Sequence, residues 1–319
     1  LDGSKTAEKA LPYARSLARS LKLPVELLAV VDIAELAAHL SAANARHMDA
    51  MVESELKRSA EYLSGIVKTF EQTSVICTVD KGSADEVIVQ RAAAEKATLI
   101  TMATHGRSGL NRWLLGSVAE KVLRATVNPL LLVRAGEQAE SVGYASLKSV
   151  VVPLDGSALA EGALPAASEL AKTLDLEITL LRTCEVPASA YYGTEDYLPS
   201  YEELKQRIKE EAVNYLDGKL AALKAQGLIK VFSAVMQGPA AEEIIEYARA
   251  RSGTLIAMCT HGRSGVRRWV LGSVTEKVVR HSGDPVLVIS AKAESKTAQG
   301  AVFAKLGAEV SGAMRYTID

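Results

Sequence analysis

Thr104-His105-Gly106-Arg107-Ser108-Gly109 returns as Thr260-His261-Gly262-Arg263-Ser264-Gly265, and this repetition decides the fold. C-terminal to it the match continues, Trp113, Leu115-Gly116-Ser117-Val118 and Glu120-Lys121-Val122 answering Trp269, Leu271-Gly272-Ser273-Val274 and Glu276-Lys277-Val278. N-terminal to it, Leu1-Asp2-Gly3-Ser4 and Ala10-Leu11-Pro12 answer Leu154-Asp155-Gly156-Ser157 and Ala163-Leu164-Pro165. One unit is therefore written twice, and any fold assigned to one half applies to the other.

Each half alternates short β-branched or leucine-rich runs with longer helical patterns, the signature of successive βαβ crossovers. In the second half Val150 to Leu154 reads as a buried strand, Ala158 to Leu174 as a helix and Glu177 to Leu181 as the next strand. Ser200-x-x-Glu203 forms a capping box that opens a long helix, with Leu204, Ile208, Leu216, Leu220 and Leu223 at helical spacing. Strands near Val231 to Val235, at Leu255 to Met258 and at Val286 to Ile289 alternate with helices near Ala240 to Ala250 and from Ser273. The expected class is α/β: two tandem doubly wound domains, each a five-stranded parallel sheet flanked by helices. A 2-1-4 strand neighbourhood would bring the loops after strands one and four into one crevice at the carboxyl edge. The boundaries read as 1–136 for the first domain, 137–147 for a linker, 148–291 for the second domain and 292–319 for a tail without counterpart in the repeat. The strand that precedes Asp155 has no equivalent ahead of Asp2, and the expectation is a chain trimmed at its start.

Composition bounds the partners. With 319 residues and 48% apolar content each half can bury its own core. Lysine plus arginine (37) nearly cancels aspartate plus glutamate (38), so no global field favours nucleic acid or an anionic membrane. Three scattered cysteines, Cys77, Cys184 and Cys259, match neither a disulfide framework nor a zinc site. With no signal peptide and no apolar run long enough to span a membrane, a soluble cytoplasmic protein is expected.

Two loops could carry chemistry. In the segment from His105 to Glu120 a glycine follows the strand, a basic stretch comes next, and Gly116-Ser117 opens a helix whose first-turn N–H groups and macrodipole would stabilise a phosphate. The plainer reading is that Ser117-x-x-Glu120 and Ser273-x-x-Glu276 are capping boxes and the glycines make turns. Asp2 and Asp155, each followed by Gly-Ser at the end of strand one, could accept hydrogen bonds from a ribose or base, or reach a phosphate-bound Mg²⁺; alternatively each stabilises the adjacent helix N-terminus. His105, His261, Arg107 and Arg263 could touch phosphate or belong to ordinary solvated loops, whereas His39, His47 and His281 read as structural and Trp113 and Trp269 as packing anchors.

These residues resemble the ATP-binding branch of the universal stress protein family, across almost the whole of each half. The resemblance implies an adenine nucleotide alpha hydrolase-like fold and a nucleotide motif of glycine, two residues, glycine, nine residues, then glycine with serine or threonine. Gly106 leads to Gly116-Ser117 and Gly262 to Gly272-Ser273 at that spacing, while Ala103 and Cys259 stand where the first glycine belongs. It further implies Asp2 and Asp155 on the adenosine side, with Pro153 beside the latter. Val30 and Thr183 would lie against adenine, and Ser117-Val118 and Ser273-Val274 would hold phosphates. Arg182-Thr183 departs from the apolar expectation. Resemblance implies ATP or another adenine nucleotide with Mg²⁺ as ligand, and pairing through the last strands, here Leu130 to Val133 and Val286 to Ile289. A pseudo-twofold arrangement of the halves, compatible with a further homodimer and an unidentified protein partner, would follow.

The expected function is thus a nucleotide-dependent regulatory module of stress response or signalling. A dedicated enzyme would need a positioned base or attacking group beside the phosphates; none is visible, so at most slow ATP hydrolysis is expected. A scaffold that has lost nucleotide binding would carry bulky replacements at Gly106 or Gly116, which are absent.

Overall fold

The computed structural model describes residues 1–38, 47–95, 98–104, 115–134, 143–185, 201–260 and 271–290. The chain divides into two compact units, one including Leu1–Ser146 and the other Leu147–Ala291. His39, the glycine-loop segments 105–114 and 261–270, Ser200 and the tail from Lys292 lie outside the described residues.

In unit 1, α1 (Lys5–Glu8) and α2 (Leu11–Leu21) lead into β1 (Val25–Val31), followed by α3 (Ile33–Ala38) and α4 (Met48–Val67). β2 (Val75–Lys81), α5 (Ala84–Ala94), β3 (Ile100–Ala103), α6 (Ser117–Ala125) and β4 (Leu130–Val133) complete it. β1 pairs with β2 and β3 with β4, both in parallel. Leu11, Leu27, Ala29, Leu63 and Phe70 form a core cluster. Beside it the guanidinium of Arg15 donates to Thr69 Oγ1 and to the Gly143 carbonyl while lying over the Phe70 ring, which fastens the chain near the end of this stretch of unit 1 to α2.

Unit 2 holds β5 (Ser149–Pro153), α7 (Leu164–Thr173), β6 (Glu177–Cys184), α8 (Tyr201–Ala225), β7 (Val231–Gln237), α9 (Ala240–Arg249), β8 (Thr254–Cys259), α10 (Ser273–His281) and β9 (Val286–Ile289). All pairings are parallel, in the order β9-β8-β5-β6-β7. Successive strand residues face opposite sides. Val150, Val151 and Val152 are nevertheless all fully buried, so β5 is covered on both faces, as the apolar run required. Strand order reverses between β5 and β8, which puts the ends after Pro153 and Cys259 at the expected crevice.

The helix read over Ala158 to Leu174 divides into a 3₁₀ turn, Ala160–Ala163, and α7. Pro165 sits in the first turn of α7, where its missing N–H and fixed φ are tolerated, and it sets the helix start there. No described helix is long and apolar enough to cross a membrane.

Candidate functional site

The Asp-Gly-Ser loops are built alike in both units. Gly3 and Gly156 adopt φ of 80° and 88°, a left-handed backbone that a side chain would strain. That turn lets Asp2 Oδ1 accept from the Ser4 N–H at 2.9 Å and Asp155 Oδ1 from the Ser157 N–H at 2.9 Å. Ser4 and Ser157 in turn accept from Ala7 N–H and Ala160 N–H, each at 3.1 Å. One carboxylate oxygen therefore shapes the loop, and the loop holds each aspartate at the strand edge.

At the other loop, the Gly116 N–H donates to the Thr104 carbonyl at 2.7 Å, and Gly272 N–H to Thr260 at the same distance. Both ends of the glycine segment are thereby joined immediately after β3 and β8. Gly116 and Gly272 are the N-caps of α6 and α10. This corrects the expected capping boxes. With glycine rather than serine at the cap, Glu120 and Glu276 stand one place beyond the box position, and they accept from Arg124 and Arg280 one turn on. Ser117 and Ser273 stand one place inside their helices, exposed. Among the described residues no side chain bonds the cap, and the first-turn N–H groups lie at the positive end of the helix dipole.

Ala103 and Cys259 end their strands without positive φ, so the missing first glycine costs no backbone strain. The bulk of Cys259 is taken up by Gly162, where an added Cβ would lie 3.1 Å from Sγ. Burial pushes the Cys259 thiol up to about 12, whereas Cys77 is exposed on β2. Disulfide-exchange labelling at pH 8 is expected to modify Cys77 at least about 100-fold faster than Cys259, which reacts only on unfolding. Labelling of a folded Cys77→Ser/Cys184→Ser chain at a rate comparable to the parent would show that Cys259 is accessible.

In unit 1 these parts meet. A cavity of about 860 Å³ is lined by Asp2, Gly3, Val30, Ala103, Gly116, Ser117 and Val118, among others. The same cavity is lined by Thr101 and Met102 of β3, Ala29 of β1, and Arg58, Ser59 and Tyr62 of α4. His105, Gly106 and Arg107 lie outside the described residues.

In unit 2 a cavity of about 250 Å³ is lined by Asp155, Arg182, Thr183, Cys184, Glu185 and Ile208. Of the sequence-predicted set it gathers Asp155 and Thr183. Pro153, Cys259, Gly272, Ser273 and Val274 are placed at the strand and helix ends but do not line it, and His261, Gly262 and Arg263 lie outside the described residues. No group of three or more metal-ligating side chains occurs among the described residues.

A tyrosine–glutamate pair in both units is absent from the sequence reading. Tyr62 Oη donates to Glu8 at 3.3 Å, and Tyr215 Oη to Glu161 at 2.9 Å. Burial and the Glu161 carboxylate hold the Tyr215 hydroxyl well above the ordinary phenol range. The signal was present in the repeat, since Tyr62-Leu63 and Tyr215-Leu216 match and Glu8 and Glu161 fall at the same distance from Asp2 and Asp155.

The model of the "Universal stress protein family" matches residues 1–134 and again 146–290. Universal stress protein MJ0531 of Methanocaldococcus jannaschii is 33% identical over 145 residues, covering 44% of this chain and 81% of the relative. Universal stress protein YxiE of Bacillus subtilis is 30% identical over 145 residues, covering 44% of this chain and 97% of its own. A universal stress protein structure from Archaeoglobus fulgidus shares the fold, with a TM-score of 0.56, 21% identity and coverage of 90% of this chain and 95% of that one.

Proposed function

The chain belongs to the universal stress protein family, and we propose that it is an ATP-binding regulatory module of stress response or signalling, with unit 1 as a nucleotide site. The observation that carries this reading is the 860 Å³ cavity, where a strand-edge carboxylate, an apolar strand end and an uncapped helix N-terminus converge. Val30 offers an apolar contact for a base, and Asp2 a hydrogen-bond acceptor for the sugar. The first-turn N–H groups of Ser117 and Val118 offer donors to phosphate oxygens, where a charge-assisted bond is stronger than a neutral one. Mg²⁺ would neutralise phosphate charge, with Asp2 as the carboxylate within this lining that suits it; the phosphates themselves would supply further oxygen ligands.

The role is regulation rather than turnover. A bound nucleotide that bridges the β1 side of the cavity to α6 stabilises the arrangement that holds both, and any partner that reads this arrangement responds to nucleotide level.

Calorimetric titration with Mg-ATP tests the proposal. Asp2→Asn is the sharp variant, because asparagine keeps an oxygen acceptor for Ser4 while removing the charge. Binding to the parent chain and a loss of about tenfold in affinity for Asp2→Asn are expected, the scale of one hydrogen bond to a charged group. No heat and no displacement of a fluorescent nucleotide at millimolar concentration would replace this reading with a scaffold.

A further inference from the structure

β7 ends the strand order of unit 2 and pairs with β6 on one side only. In a parallel pair one residue bonds its neighbouring strand through both its N–H and its C=O, and the next turns both groups away. The bonds from Ile178 N–H to the Lys230 carbonyl and from Gly238 N–H to the Cys184 carbonyl fix which residues do which. Phe232, Ala234 and Met236 bond to β6, whereas Val231, Ser233, Val235 and Gln237 turn N–H and C=O to the free edge. Among the described residues no strand meets them there.

The equivalent strand of unit 1 is guarded and β7 is not. Gly82 and Gly238, with φ of 133° and 143°, follow β2 and β7 alike, which aligns Ile76 with Phe232, Asp80 with Met236, Lys81 with Gln237 and, on the next helix, Arg91 with Tyr247. Glu26 of β1 stands opposite Ile76, and Thr179 of β6 opposite Phe232. In unit 1 Arg91 pairs with Glu26 at 2.8 Å and with Asp80 at 3.2 Å, fixed charge of the kind that keeps strand edges from associating. In unit 2 these positions hold Thr179, Tyr247 and Met236, and β7 carries no ionisable side chain. Phe232 is 51% exposed and Ile229, just ahead of the strand, 90%. The nearest ammonium, Lys230, is engaged by Asp175 of its own unit at 2.7 Å.

We infer that β7 pairs antiparallel with β7 of a second copy of this chain, continuing the unit 2 sheet across a twofold axis beside Ala234. In this register Val231 exchanges both its bonds with Gln237 of the second copy, and Ser233 with Val235, so each outward group finds a partner. Phe232 then stands opposite Met236, and Ile229 opposite Pro239, apolar against apolar. The same register on β2 would set Ile76 against Asp80 and Val75 against Lys81, which is unfavourable. A second copy is the fitting occupant because one register satisfies the whole edge, and the pairing closes on itself with no free edge left there for a third. This interface is separate from the pairing through last strands that the family resemblance implies, since β7 and β9 stand at opposite ends of the unit 2 order. It requires no nucleotide.

The experiment is disulfide trapping of the full chain in a Cys77→Ser/Cys184→Ser background, which leaves buried Cys259 as the remaining native thiol. Ala234→Cys then puts one thiol from each copy at the axis, in a non-hydrogen-bonded pair whose Cα atoms lie about 4.5 Å apart, within disulfide reach. With oxidised glutathione this chain is expected to form a covalent dimer at least about tenfold faster than one carrying Thr78→Cys, the equivalent position on β2. Phe232→Lys added to Ala234→Cys should slow trapping by about tenfold or more with an unchanged circular dichroism spectrum. Sedimentation velocity over a concentration series, with native cysteines, should show association weakened by a similar factor in Phe232→Lys, and it decides the matter if a cysteine variant does not fold. Trapping no faster than in Thr78→Cys, trapping unchanged by Phe232→Lys, or equal association of the parent and folded Phe232→Lys chains overturns the inference.

Discussion

Gly116→Val is expected to weaken nucleotide binding by about 100-fold or more while leaving the fold intact. Gly116 has φ −60° and ψ 147°, an extended conformation open to valine, and its N–H bond to the Thr104 carbonyl is kept. The stability cost is that of a poor N-cap, about 1 kcal/mol against serine or aspartate and less against glycine. The cost to a phosphate is larger. Two methyl groups at the cap stand in front of the first-turn N–H groups, and each charge-assisted bond that is lost contributes roughly 1.5–3 kcal/mol. The same change at Gly272, which has nearly the same backbone angles, tests unit 2 in the same titration: a change there would mean that unit 2 also takes nucleotide. Calorimetry on both variants, with circular dichroism as the fold control, separates the cases. Normal binding by Gly116→Val would place the phosphates elsewhere.

The strands were readable from sequence because parallel strands covered on both faces become unbroken apolar runs, as at Val150 to Val152 and Leu255 to Met258. The 2-1-4 neighbourhood is present in unit 2 as β6-β5-β8. The repeat supplied independent support for every element, since a pattern seen twice is hard to obtain by accident. Helix starts were less legible. Pro165 displaced the start of α7, and the bonds from the Gly116 and Gly272 N–H groups to the Thr104 and Thr260 carbonyls hold each cap one residue ahead of the serine of the Ser-x-x-Glu pattern. Local patterns cannot register a competitor that arrives from another strand. For the same reason Arg182 read only as a departure from an apolar position. Its ring partner Tyr215 and its ion-pair partner Glu211 are brought against it by the crossover through α8. Histidines and arginines of the glycine segments, His105, Arg107, His261 and Arg263, lie outside the described residues.

Val151→Asp is expected to have the largest effect on stability. Val151 is fully buried in β5, paired with Thr179 of β6 on one side and Ile256 of β8 on the other. A carboxylate there has neither water nor a cation, and burying it costs about 4 kcal/mol or more even after relaxation and a raised pKa. That is a large share of the roughly 5–15 kcal/mol that holds an ordinary domain together. β5 also lies at the point where strand order reverses, and its end carries the Asp155 loop, so the consequences reach beyond packing. Expected observations are early loss of the unit 2 helical signal on heating and rapid proteolysis within 147–291, whereas Val151→Ile stays within about 1.5 kcal/mol of the parent. Sign follows from linkage. The introduced carboxyl has its pKa raised in the folded state, so the variant should recover stability as pH falls toward 4 and lose it as pH rises. A melting temperature within a few degrees of the parent at pH 7 would mean that β5 is not the buried centre of its sheet.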